Sequence, residues 1–504
     1  MVRAILPGSG DRPRMESEMA KRIAVVGAGM GGLCAAIKAR EAGHEIALYE
    51  HADSVGGTWR ANRYPGVACD VPAILYQFSF APYPDWSHHY ARGAEIHDYT
   101  RSLVDRFGLG EVLHLGEGVT RATWDDDAGQ WTVETERGET GRFDAIVPAL
   151  GQLSRPQLPM IEGRDTFAGT MFHAAEWPEG LDLTGKRVGV VGSAASAVQL
   201  IPEVARRAAR LVVFQRTPNW VVPRNDVAIT PEAKALMATD IAMAMKLGAA
   251  QRAMIFDQAD TFFWQTFQWT PEGRAAFTRT ALDHLAAQVA DPELRARLTP
   301  DYPIGCKRVL ICDDFYPALC QPHVTLDTAG IVVIEPDGVR TGAGFHDLDV
   351  LIFATGFETT EWNWSMEVVG RGGVSLKEAW RDGPEAYLGI MVHNFPNLFM
   401  LYGPNTNLGH NSISFMIERQ VDFMLATLAA LEREQARSAD VTADGQRRFR
   451  ERIEQKLAGT VWADPHCRSW YKAANGRIYQ NWAGNCADYA AETGVLDRDA
   501  VMLA

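Results

Sequence analysis

Three features of the sequence predict an α/β protein with two nucleotide-binding modules and a helical insertion. A glycine turn follows a short apolar strand at Gly27, and a second one does so at Gly192. Each turn opens a helical pattern that leads to another apolar strand. Later, over residues 225–298, the strand pattern gives way to long amphipathic runs such as Ala233–Met245 and Gly273–Val289. A chain of 504 residues has room for about two or three domains.

Composition removes several classes. Apolar residues make up 47%, enough for a large core. The formal charge of −14 argues against nucleic acid, because phosphate binding needs a basic face. No stretch approaches the roughly 18 apolar residues of a membrane helix. The seven cysteines are odd in number and none are spaced C-x-x-C. Neither a disulfide framework nor a metal site is expected, and a reducing compartment, the cytoplasm, fits. Residues 1–20 have no apolar core long enough for a signal peptide and read as a mobile tail, with Met15 or Met19 nearer a natural start.

The first module is the more explicit. Ile23–Val26 is a strand, Gly27-Ala28-Gly29-Met30-Gly31-Gly32 the turn, a helical pattern runs to Ala42, and Ile46–Tyr49 is the next strand, ending at Glu50. Strand, G-x-G-x-x-G, helix, strand and a terminal acid form the Rossmann-type dinucleotide fingerprint. Gly27 makes the tight turn, Gly29 lets backbone approach a pyrophosphate at the helix N-terminus, and Gly32 packs helix on strand. Glu50 accepts from a ribose hydroxyl. A helix over Ala94–Phe107, strands over Val119–Trp124 and Trp131–Thr135, and a buried strand over Asp144–Leu150 follow.

The second module repeats this layout. Lys186 to Gly192 copies Lys21 to Gly27, and the turn reads Gly192-Ser193-Ala194-Ala195-Ser196-Ala197. A helix to about Ala209 and a strand over Leu211–Phe214 lead to Gln215-Arg216-Thr217. The two strand ends differ in charge: Glu50 suits an unmodified ribose, Arg216 a 2′-phosphate. One site for FAD and one for NADPH follows from that contrast. Beyond the insertion, whose Phe262, Phe263, Trp264 and Phe267 read mostly as core, come Lys307-Arg308, a strand over Asp349–Phe353 before Ala354-Thr355-Gly356, a strand over Leu398–Tyr402, and a helix from Ile413 to about Arg433.

Between the modules lies FAGTMFHAAEWP, residues Phe167 to Pro178, with the spacing Phe-x-Gly-x-x-x-His-x-x-x-Trp-Pro. Physics alone reads a packed connector, with His173 and Trp177 sharing the face of a helical turn. The segment resembles the fingerprint of type I Baeyer–Villiger monooxygenases at every defining position, and the resemblance extends from about Lys21 to the C-terminal end. It implies that Arg308 and Asp70 are catalytic, with Asp70 holding the arginine over the flavin. It implies FAD contacts at Thr58, Trp59, Asp70, Tyr76 and Val119, besides Gly27, Gly29, Gly32 and Glu50. NADPH is expected at Gly192, Ser193, Ala194, Ser196, Ala197, Arg216, Thr217, Lys307 and Trp470. Val309 stands where relatives often carry proline, and Ala483 departs from their Trp-Pro-Gly.

The implied reaction uses NADPH and O2 to insert one oxygen beside a ketone carbonyl, giving an ester or lactone, through an oxygen adduct at flavin C4a that stays deprotonated beside a permanent cation. Sulfoxidation is an expected side activity. Three other readings share the layout: a flavin monooxygenase acting on nitrogen or sulfur, a disulfide oxidoreductase, for which Cys306 and Cys312 are too widely spaced, and a flavoprotein that only binds nucleotide. The expected domains are 21–153 and 385–504 for FAD, 154–224 and 300–384 for NADPH, and 225–299 as the insertion. Oligomeric state stays open.

Overall fold

Arg22–Val26 is exposed only at its first residue and lies at the centre of a parallel sheet, because its side chains are buried on both faces. The computed structural model describes residues 20–239, 241–268, 271–359, 365–473 and 475–504, so the expected N-terminal tail, apart from Ala20, lies outside the described residues. The first sheet runs in the order Leu113–Leu115, Glu45–Glu50, Arg22–Val26, Ala145–Pro148, all parallel. The second runs Val324–Asp327, Arg210–Phe214, Arg187–Val191, Val350–Phe353, Thr170–His173, again all parallel.

The two sheets share their local bonding. Asp144 and Asp349 open corresponding strands, and each accepts at 2.8 Å from the backbone N–H of the arginine opening the central strand, Arg22 or Arg187. Gly27 N–H donates to Tyr49 at 2.8 Å, and Gly192 N–H to Phe214 at 3.0 Å. The repeat seen in the sequence is therefore a repeat of hydrogen bonds as well. The two connections between the modules pair with each other: Pro156 bridges Phe357, and Gln157 N–H donates to the Gly356 carbonyl at 2.9 Å.

Several expected elements shift. The helix of the second module, Ala195–Ala205, ends before Ala209, at an Arg206 cap. Of Leu398–Tyr402 only Leu398 forms a bridge, to Ile146; Tyr402 takes a left-handed φ of 58° that ends any strand there. FAGTMFHAAEWP holds no shared helical face. Thr170–His173 is an edge strand, a 3-10 turn over Ala174–Glu176 follows, and Trp177 packs on Phe172 with ring centres 5.2 Å apart. A Cβ on Gly169 would stand 2.4 Å from the Asp349 carbonyl oxygen, so that glycine is needed for strand approach.

The insertion is helical, with Pro231–Thr239, Ile241–Gln258, Pro271–Gln288 and Pro292–Leu298. Phe267 is buried there, as expected, whereas Phe262 is 46% exposed, a correction to its placing in the core. An antiparallel meander over Ile331–Glu335, Gly338–Thr341 and Gly344–Asp347, and the helix Ala443–Ala458, carried no clear signal in the sequence. Ile413–Glu434 forms as expected and packs on Met30–Glu41, returning the C-terminal part to the first sheet.

Candidate active site

At the first turn the three glycines have three different reasons. Gly27 has φ 99°, and a Cβ there would lie 2.7 Å from the Ala149 carbonyl oxygen. A Cβ on Gly32 would fall 1.8 Å from the Gly27 carbonyl oxygen, so helix and turn meet without room for a methyl group. Gly29 is unlike both. Its φ of −76° suits any residue, and a Cβ would meet only the Gly57 backbone, nearest at Cα, 3.6 Å away. Folding does not require glycine there; an open approach to the helix N-terminus does. Such a cradle, which a Cβ would fill, fits a pyrophosphate.

Glu50 ends the second strand beside this turn. Its Oε2 accepts from Ala28 N–H at 2.7 Å and its Oε1 from Ala52 N–H at 2.9 Å, which fixes the carboxylate and leaves lone pairs for a ribose. Its carbonyl accepts from Glu117 N–H at 2.9 Å, which brings the start of the strand Val119–Asp125 to the same end of the sheet. Thr58 and Trp59 open a short helix after Gly57, and the Trp59 indole donates to the Tyr76 hydroxyl at 3.0 Å. Burial raises the Tyr76 phenol well above its usual value, so it stays protonated.

The second turn keeps Gly192, with φ 117° and the Ala354 carbonyl oxygen 2.5 Å from where a Cβ would be. Ser193 Oγ donates to the Thr217 carbonyl at 3.0 Å, tying the turn to the end of the next strand. Ala194 caps the helix that carries Ser196 and Ala197. Arg216 is exposed, and Lys307 is half-buried with its ammonium 4.4 Å from the centre of the Tyr302 ring. Burial, then the nearby charge of Arg216, lower the Lys307 pKa. Two cations close enough to repel each other suit a dianion between them.

The centre of the site is Arg308. Its Nε lies 2.6 Å from Asp70 Oδ2 and its Nη2 donates to Asp70 Oδ1 at 3.0 Å, a two-point grip. The charge of Asp70 outweighs burial and pushes the arginine pKa further up. Tyr402 and Tyr471 share its electrostatic neighbourhood. Burial pushes Tyr471 up to about 12 and Tyr402 higher still. Tyr402 is held by three bonds: its N–H to Gln420, its carbonyl to Gln152, and its hydroxyl to Asn407 at 2.6 Å. Trp470 is half-buried and lies 4.5 Å from the Tyr471 ring, centre to centre.

One expectation is overturned beside this loop. Cys306 and Cys467 form a disulfide with Cα atoms 5.4 Å apart, joining the segment before Lys307-Arg308 to the segment before Trp470-Tyr471. Spacing arithmetic reads local pairs, and this pair spans 161 positions. The remaining five cysteines are free.

The flavin-binding monooxygenase-like family profile matches residues 20–256. A Baeyer–Villiger monooxygenase of Streptomyces coelicolor is 39% identical over 479 residues, covering 94% of this chain and 91% of the relative. The chain belongs to the Baeyer–Villiger monooxygenase family. Among solved structures, an oxidised steroid monooxygenase bound to NADP superposes with a TM-score of 0.84 at 30% identity, over 96% of this monooxygenase and 99% of that chain. The enzyme called OTEMO, in complex with FAD and NADP, gives 0.86 at 25% identity, over 97% and 100%.

The fingerprint of this monooxygenase makes its contacts in the second sheet. His173 is buried, accepts from Ala175 N–H at 3.1 Å and packs on Phe357, 5.6 Å between ring centres. A contact that sequence reasoning missed keys the modules together. The Tyr64 hydroxyl donates to Gln199 Oε1 at 2.9 Å, and Gln199 Nε2 donates to the Ala68 carbonyl at 2.9 Å. Gly66, φ 84°, leaves room for the Gln199 carbonyl 2.5 Å from where its Cβ would be. The run Arg63-Tyr64-Pro65-Gly66 carried the signal, but its partner did not.

Proposed function

We propose that this protein is an NADPH- and O2-dependent flavin monooxygenase that inserts one oxygen beside a ketone carbonyl to give an ester or lactone. The observation that carries this reading is the Arg308–Asp70 pair, a half-buried, permanently charged guanidinium held at two points by one carboxylate. FAD at the first turn and NADPH at the second supply the hydride and oxygen chemistry when bound.

The chain's own residues supply position and field. Gly27 shapes the turn, Gly32 packs the helix on it, Gly29 lets the FAD pyrophosphate approach the helix N-terminus, and Glu50 takes the ribose. Thr58, Trp59, Tyr76 and Val119 line the rest of that nucleotide. Ser193, Ala194, Ser196, Ala197 and Thr217 face the second nucleotide, Arg216 and Lys307 grip its 2′-phosphate, and Trp470 covers it. Arg308 places fixed positive charge where negative charge develops on oxygen, the arrangement that contributes most in comparable sites. Asp70 keeps that guanidinium from swinging away.

The domain boundaries are proposed as 21–153 with 385–504 for FAD, 154–224 with 300–384 for NADPH, and 225–299 as the wall of the substrate cavity. Among the described residues no helix is long and apolar enough to cross a membrane. The cytoplasm, where NADPH is regenerated, is the proposed compartment.

Incubating the yellow holoenzyme with NADPH, oxygen and a panel of cyclic, linear and aromatic ketones tests the reading. Ester or lactone product supports it. Sulfoxide or N-oxide as the sole product, or dithiol turnover, overturns it.

A further inference from the structure

Outside the catalytic centre, Asp260, His410 and Cys486 converge from three segments. Asp260 sits in the π-helical turn Ala259–Phe263 of the insertion, His410 in the loop after Leu408, and Cys486 at the start of the helix Cys486–Thr493. We propose that these three side chains supply three ligands of a tetrahedral zinc site, with water in the fourth position, that clasps the insertion to the C-terminal part of the chain.

The donor atoms lie within 4.8 Å of one another. Bonds of 2.0–2.3 Å give a tetrahedral zinc site edges of about 3.3–3.8 Å. His410 Nε2 lies 3.6 Å from Asp260 Oδ1, so the imidazole already faces the carboxylate that would supply the oxygen ligand. At 3.6 Å the two do not hydrogen-bond. The His410 side chain is 1% exposed, and neither ring nitrogen has a hydrogen-bond partner among the described residues. A buried imidazole with both nitrogens unpaired is costly, and a metal bond to one of them removes that cost.

Asp260 is prepared as a ligand. Its Oδ1 accepts from Cys486 N–H at 2.6 Å and Asn411 Nδ2 at 3.1 Å, and its Oδ2 from Ala487 N–H at 3.0 Å. Three donors fix the carboxylate, as outer partners do around metals; Oδ1 accepts twice, and the lone pair left for the cation is on Oδ2. Charge also balances. One carboxylate and one thiolate neutralise Zn²⁺, so the assembled site is neutral in a place where Asp260 is 4% and Cys486 0% exposed. On binding, the Cys486 thiol gives its proton to solvent, the sulfur–metal bond replaces the S–H bond, and no electron moves. A mixed sulfur, nitrogen and oxygen set selects zinc over calcium or magnesium.

The clasp backs the catalytic loop. The His410 ring lies 5.1 Å from Trp264 and 6.1 Å from Phe267, and both pack on Trp462. The Trp462 indole donates to the Gly305 carbonyl at 3.0 Å, in the loop that carries Arg308.

The test uses the FAD-loaded full chain, treated with chelator, desalted, and titrated with zinc chloride alone. One equivalent retained after desalting is expected, with a raised Tm and one sulfur neighbour in the zinc X-ray absorption spectrum. His410→Gln and Cys486→Ser should weaken retention by about 100-fold. No retained zinc, a zinc spectrum without sulfur, or undiminished binding in both variants overturns the proposal. Should both variants fail to fold, the spectrum of the unmodified enzyme still decides.

Discussion

Arg308 and Asp70 stand 238 positions apart in the chain and meet through two contacts, at 2.6 and 3.0 Å. A loop of the first module and the loop after the insertion are joined there by the same pair that sets the charge of the site.

Replacing Arg308 with Ala should lower ester formation by about 10²–10³-fold or more, the usual cost of removing a preorganised donor. Reduction of the flavin by NADPH should stay largely intact. Arg308→Lys keeps charge but loses the two-point grip on Asp70 and should recover little. Product analysis beside stopped-flow flavin reduction separates the two steps. Ester yield near that of the unmodified enzyme in Arg308→Ala would falsify the assignment.

Arg216→Ala and Lys307→Ala should each raise the KM for NADPH by about 10- to 100-fold, the equivalent of roughly 1.5–3 kcal/mol for a lost charge-assisted bond. The KM for NADH should hardly move. Steady-state kinetics with both coenzymes provides the check, and equal changes in the two would count against a 2′-phosphate at this pair.

Gly29 and Gly32 make opposite predictions. Gly29→Ala has room for its methyl group, so the chain should fold yet bind FAD poorly and purify colourless. Gly32→Ala places a methyl group 1.8 Å from a carbonyl oxygen and should cost the fold itself. Circular dichroism and flavin absorbance distinguish the outcomes. A fully flavinated Gly29→Ala enzyme would remove the ligand argument for that position.

The protein unfolded without reductant should titrate five thiols, and all seven with reductant. Cys467→Ser should destabilise by about 2–4 kcal/mol, because the bond constrains a long loop of the unfolded chain. Denaturant melts with and without reductant measure this, and seven thiols from the start would refute the pairing.

Asp440 gives a pH dependence. Burial, only partly offset by His393, Arg371 and the Asn394 and Val441 backbone N–H groups, raises its pKa to about 6. The folded state therefore keeps a proton that the unfolded chain releases near pH 4. Stability from that proton is complete below about pH 4 and is lost as pH rises through 6, a change on the order of 3 kcal/mol. Asp440→Asn should raise Tm at pH 8 and leave it unchanged at pH 4. A Tm gain of equal size at both would exclude titration of Asp440 as the cause.

Both glycine turns, the strands beside them, the insertion and the charges at the two strand ends, Glu50 and Arg216, were legible in the chain itself, whereas Arg308 and Asp70 were singled out only by the family resemblance. These features are local: a turn that needs positive φ admits glycine, a strand buried on both faces is continuously apolar, and a strand end carries its charge within a few residues. The resemblance of residues Phe167 to Pro178 to a family fingerprint added the chemistry, although the helical face read there proved to be the end of an edge strand and a 3-10 turn.

Pairing across distance was decided only in three dimensions. Cys306 meets Cys467, Gln199 receives the loop at Tyr64, Tyr402 and Tyr471 come into the electrostatic neighbourhood of the guanidinium, and Asp260 finds His410 and Cys486. Each partner sits in a segment whose own sequence carries no trace of the other, because packing chooses neighbours by shape and hydrogen bonding once the two sheets and the insertion are assembled.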